Sequence, residues 1–90
     1  MLMEITPDLL EAKPTAECRI WLRFEDGVAA EVDFSYLLDF EGVFLPLRDP
    51  NFFGQVRVHE SGDTIEWPGE VDIAPETAYR RTQEAAGVAA

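Results

Sequence analysis

Positive charge is what this chain has least of. Its 90 residues carry seven Lys and Arg against 18 Asp and Glu, a formal net charge of −11. So acidic a surface repels phosphate backbones, which argues against direct nucleic-acid binding. Cysteine occurs once, at Cys18, so no intramolecular disulfide forms. Histidine occurs once, at His59, where a metal site or acid–base pair would need close partners; Glu60 and Asp63 are the nearest acids in sequence. No apolar run approaches the ~20 residues of a spanning helix, and no basic segment followed by an apolar one opens the chain. A cytoplasmic protein without membrane contact is the expectation. There is no GxxxxGK[ST] phosphate loop, no nucleophile elbow and no D-x-D-x-D-G calcium loop. These gaps predict no catalytic residues, no cofactor and no metal.

What is present is an ordinary globular composition, 47% apolar. A chain this short buries about 60–65% of its unfolded surface, enough for one core and no deep substrate cleft. One domain is expected over residues 1–82, with an Ala/Gly-rich tail, 83–90, fraying beyond the last helix. A short first strand is expected near Leu2–Thr6, followed by a polar loop, Glu11 to Glu17, around Pro14.

Two stretches alternate with the period of a half-buried strand. Cys18, Ile20, Leu22 and Phe24 point one way, and Arg19, Trp21 and Arg23 the other. Val28, Ala30, Val32 and Phe34 alternate with Ala29, Glu31 and Asp33. Register decides the turn between them. A two-residue Asp26-Gly27 turn would bring Arg19 and Arg23 onto the face of Ala30 and Phe34. A three-residue loop, Glu25-Asp26-Gly27, sets Phe24 beside Val28, Leu22 beside Ala30 and Ile20 beside Val32, so both apolar sets share one face. Arg19 then falls opposite Asp33, and Trp21 opposite Glu31. Gly27 supplies the left-handed residue such a loop needs. The same logic predicts a second hairpin turning at Ser61-Gly62, with Val58 opposite Ile65, Val56 opposite Trp67, and Arg57 opposite Glu66 outside.

Helical content is short. Ser35 is a cap for a turn through Leu38, Asp49-Pro50 opens another turn carrying Phe52 inward, and Pro75-Glu76 opens the last helix with Tyr79 on its buried side. The fold class is α+β: a mainly antiparallel sheet of about four or five strands with short helices on one face. The expected core is Ile20, Leu22, Phe24, Val32, Phe44, Leu47, Phe52, Val56, Val58, Ile65, Trp67 and Tyr79. Cys18 is expected to join it as a small hydrophobe, and Pro68 to end the strand carrying Trp67.

The order F-E-D-G-V, V-D-F-S-Y-L-L, G-V-F-L-P-L-R-D-P-N-F-F, V-R-V and I-E-W-P-G-E-V-D-I-A-P-E-T-A-Y resembles the small bacterial family catalogued as domain of unknown function 2442, over roughly Ile20 to Tyr79. The resemblance implies a compact α+β domain with an antiparallel sheet and no established activity. It also implies kinship with proteins that look like the antitoxin-side member of a two-gene unit. Longer relatives add a helix-turn-helix module; none is expected here after Tyr79. Where relatives have Asn-Gly after the Trp-Pro pair, this chain has Gly69-Glu70.

Three functional classes follow: a non-enzymatic interaction domain, antitoxin-like or regulatory, binding a small basic protein encoded nearby; a small-ligand or regulatory sensing domain of a larger assembly; and an enzyme subunit whose site is completed at an interface. Homodimerisation is compatible with each. The candidate partner contacts are Trp21, with Glu31 opposite it, and the acids Glu66, Glu70 and Asp72 at strand ends. Trp21 either is covered by a helix or the N-terminal strand, or stands exposed as a contact anchor.

Overall fold

The computed structural model describes residues 6–39, 42–69 and 71–87. Their fold is α+β. The strands divide between two antiparallel sheets of three, not one sheet of four or five. The first contains β1 (Leu9–Ala16), β2 (Arg19–Phe24) and β3 (Ala29–Asp33) in that order; the second contains β4 (Arg57–Val58), β5 (Ile65–Trp67) and β6 (Val71–Asp72). Two 3₁₀ segments, Ser35–Asp39 and Gly42–Arg48, and a single helical turn, α1 (Pro50–Phe53), connect the sheets, and α2 (Pro75–Ala85) follows the second. The sheets meet where the Leu9 N–H donates to the Gly62 carbonyl at 2.7 Å.

The first hairpin has the three-residue loop its apolar pattern requires. The Phe24 N–H donates to the Val28 carbonyl at 2.8 Å, and Gly27 has φ +95°. Arg19 lies opposite Asp33, Ile20 opposite Val32, Trp21 opposite Glu31 and Leu22 opposite Ala30. Asp26 tightens the loop by accepting the Val28 N–H at 3.0 Å. The second hairpin pairs Arg57 with Glu66 and Val58 with Ile65, as expected, with Gly62 at φ +82°.

The segment Glu11 to Glu17 corrects the loop expectation, because Leu9–Ala16 is a strand paired with β2. Pro14 misled the reading. In an antiparallel pair both backbone polar groups of a residue point the same way, alternating along the strand. Phe24 bonds to β3, so Leu22 and Ile20 do too. Pro14, opposite Ile20, therefore turns its nitrogen away from β2. Its missing N–H falls on the open edge and costs the ladder nothing. Of the expected first strand, Leu2–Ile5 lies outside the described residues, and Thr6 is not in a strand.

Cys18 is also placed differently. It does not begin β2 but closes the β1–β2 turn, half-buried, with φ +62°. The turn demands this left-handed conformation, which costs a non-glycine residue energy. Ser35 is not the cap; its N–H donates to Asp33 Oδ1 at 2.8 Å, so Asp33 does the capping. Asp49 caps α1 by accepting the Asn51 N–H at 2.9 Å, with Pro50 following as expected.

Both sheets and the helical segments share one core. Ile20, Leu22, Phe24, Val32, Leu47, Val56, Ile65 and Trp67 are buried, as expected. Phe44, Phe52, Val58 and Tyr79 are only partly buried against that core. Phe53, not Phe52, is the inward residue of α1, with its ring centroid 5.6 Å from that of Trp67. Leu9, Phe34, Leu37, Val71, Ile73 and Ala78 complete the interior. Helix α2 continues to Ala85, so residues 83–85 are helical. No helix among the described residues is long and apolar enough to cross a membrane.

Candidate functional site

The outer face of the first sheet carries alternating charge around Trp21. Because Ile20, Leu22 and Phe24 face the core, Arg19, Trp21 and Arg23 must face outward. Trp21 is half-buried, and its indole N–H donates to Glu11 Oε1 at 3.1 Å. The N-terminal strand thus partly covers it, one of the two alternatives open for this residue. Glu11 also holds Lys13 at 2.7 Å and Arg23 at 3.3 Å. Its carboxyl lies below the usual range because of the Lys13, Trp21 and Arg23 hydrogen bonds. Glu31 is lowered by Thr15 and then by Arg19, whose Nη1 lies 3.3 Å away. Asp33 is lowered by its hydrogen bonds from Ser35, with Arg19 and Arg81 adding charge.

On the outer face of the second sheet, Glu66 and Asp72 are cross-strand partners. Arg57 Nε is 2.8 Å from Glu66. His59 stands between the two acids, its Nε2 3.7 Å from an oxygen of each. Its Nδ1 accepts the Ser61 N–H at 3.0 Å, which puts the proton of the neutral ring on Nε2, facing the carboxylates. Its neighbours in space are Glu66 and Asp72, which sequence proximity to Glu60 and Asp63 did not reveal. Among the described residues, no group of three or more His, Cys, Asp and Glu is arranged to hold a metal ion. Glu70 lies outside the described residues. The proposed contacts therefore fall into two pairs, Trp21 with Glu31 and Glu66 with Asp72, each on its own sheet.

Three arrangements escaped sequence reasoning. Tyr79 donates its hydroxyl to Asp26 and packs edge-on against Phe24, with centroids 5.0 Å apart. Arg81 lays its guanidinium 3.6 Å over the Tyr36 ring. A pocket of about 300 Å³ opens between the β1–β2 turn and α1, lined by Cys18, Leu38, Leu47, Arg48 and Phe53 among others. Burial, then the charges of Glu17 and Asp33, push the Cys18 thiol up. That keeps the sulfur protonated and unreactive.

Residues 9–84 match the family described as "Protein of unknown function (DUF2442)". The chain belongs to this family. The match begins at Leu9, so it includes β1, which the motif resemblance from Ile20 onward did not reach. No curated protein and no solved structure matches the chain. In this DUF2442 member Trp67 has a structural role: it is fully buried, and its indole N–H donates to the Phe53 carbonyl at 2.8 Å.

The shifted groups set a pH dependence. Glu11, Glu31 and Asp33 ionise more readily folded than unfolded, so the native state binds fewer protons. Their stabilisation is present above the ordinary carboxylate range and is lost as pH falls below about 4. Tyr79 is raised by its hydrogen bond to Asp26, with burial and the Asp26 charge adding to it. Its contribution is complete below about pH 10 and is lost as pH rises through the higher folded value. Urea titrations across pH should show both declines, and Tyr79→Phe should remove only the alkaline one.

Proposed function

We propose that the chain is a non-enzymatic protein-interaction domain that binds a small basic protein, in the manner of an antitoxin or regulatory partner acting in the cytoplasm. One observation carries this reading: the division of charge between sheets and turns. Four of the bases, Lys13, Arg19, Arg23 and Arg57, are engaged by Glu11, Glu31 and Glu66 on the sheet faces. Asp8, Glu17, Glu25, Asp39, Glu60, Glu76 and Glu84 lie in turns, connections and helix ends, and none makes an ion pair with a described residue. The excess negative charge is thus displayed where it is uncompensated. Such charge attracts a basic partner over distances of about 8 Å at physiological ionic strength and raises the association rate more than it slows dissociation.

The reading expects such a basic protein to be encoded nearby, and stopped-flow association with it is the test. The association rate should fall roughly tenfold or more between low and high salt, with little change in dissociation. A rate indifferent to salt would remove charge as the basis of recognition. Tight saturable binding of duplex DNA by the isolated chain would contradict the same reading. The pocket at Cys18 and Arg48 favours small-ligand sensing as a second reading. Thermal stabilisation by a metabolite, lost in Leu47→Arg, would distinguish it.

A further inference from the structure

Among the described residues, the outer edge of β3 has no partner strand. The Phe24–Val28 and Cys18–Phe34 backbone bonds fix which residues of this strand face β2: Val28, Ala30, Val32 and Phe34. The intervening Ala29, Glu31 and Asp33 turn their N–H and C=O groups outward. None of those backbone groups bonds to a described residue. The opposite edge of the sheet is different. There Leu9 is taken by Gly62, and Pro14 offers no donor.

Helix α2 packs against β3. Tyr79 reaches Phe24 and Asp26 at one end of β3, whereas Arg81 reaches Tyr36, beyond the other end. Because Tyr79 meets the core residue Phe24, α2 lies on the core side of the sheet, in close contact with β3. Ala78 and Thr82, on the same face of the helix, are both fully buried. Among the described residues, the edge is thus left without a strand in the plane of the sheet.

Side-chain chemistry selects what pairs there. Glu31 and Asp33, both exposed, stand on the outer face beside the edge. Two copies of β3 pairing antiparallel about Glu31 would set Glu31 against its own equivalent, an unfavourable like-charge pair. Glu31 holds Arg19 at 3.3 Å and Asp33 accepts the Ser35 N–H, yet both are exposed, and a strand with Lys or Arg at alternate positions would add a positive charge beside each acid. Its intervening side chains would fall on the inner face beside Ala30 and Val32 and must be apolar.

We propose that the free edge of β3 is the docking site for an extended segment of the partner that alternates basic and apolar residues, adding a fourth strand to the first sheet. This deepens the basic-partner reading and rests on it.

The probe is an end-capped alternating Lys-Val peptide of about six residues, an ordinary strand length. The control has the same composition with its lysines grouped together. Binding is followed by fluorescence anisotropy, and amide exchange by NMR. The alternating peptide should bind saturably and slow exchange at Ala29, Glu31 and Asp33 by roughly tenfold or more. Glu31→Lys should weaken binding by roughly tenfold. Ala29→Pro, which removes an outward N–H and no ladder bond, should abolish the protection. Unchanged dispersion in the NMR spectrum establishes that each variant is folded. Equal binding of the grouped-lysine peptide, or protection elsewhere with β3 unprotected, would overturn the edge site while leaving the basic-partner reading intact. Failure of both peptides to bind, together with salt-independent association of the neighbour-encoded protein, would overturn both.

Discussion

Replacing Trp67 with Ala should cost about 3–5 kcal/mol, a large share of the total stability of a domain this size. Trp67 is fully buried in β5 and packs against the ring of Phe53. Its indole N–H also satisfies the Phe53 carbonyl, so truncation leaves both a cavity and an unpaired acceptor. The two effects are separable. Trp67→Phe keeps most of the volume and loses the hydrogen bond, so it should cost less than Trp67→Ala but remain measurably destabilising. Chemical denaturation of the three proteins decides the matter. A midpoint unchanged in Trp67→Ala would contradict the buried position.

Phe24→Ala should cost a similar amount, about 3–5 kcal/mol, through a different route. Phe24 is buried at the end of β2, in edge-to-face contact with Tyr79. It joins the first hairpin to the last helix. Its removal should lower the hydrogen-exchange protection of α2 further than that of β5. Phe24→Leu, which retains an apolar side chain at the same place, should recover part of the loss. Equal loss of protection in α2 and β5 would show that the contact does not specifically hold the helix.

Both hairpin registers were legible in the sequence because only one pairing buries every apolar side chain on one face. At Phe24 and Val28 that requirement outweighed the stronger Asp26-Gly27 turn signal. Glu11 was less accessible. Its alternation with Ala12 was present, but Pro14 read as a break because proline is tolerated only where its nitrogen faces no partner, and that depends on strand order. Cys18 fitted the period of β2 and still belongs to the turn, since periodicity does not mark where a strand begins. The exchange of Phe52 for Phe53 reflects a helical turn too short to establish a period. Of the candidate contacts, the pairing of Trp21 with Glu31 was implied by register. The pairing of Glu66 with Asp72 was not, because it depends on β6 returning alongside β5.

Pro14 also has a consequence at the scale of many molecules. Head-to-tail growth of a sheet from chain to chain requires two receptive edges on each unit, one to give and one to take. Here one side is terminated, by Pro14 and by the bond from Leu9 to Gly62. Of the two edges of the first sheet, the β3 edge is therefore the more receptive. A first sheet blocked on its β1 side does not extend from chain to chain through that side, so pairing at the β3 edge favours a closed complex over a fibre.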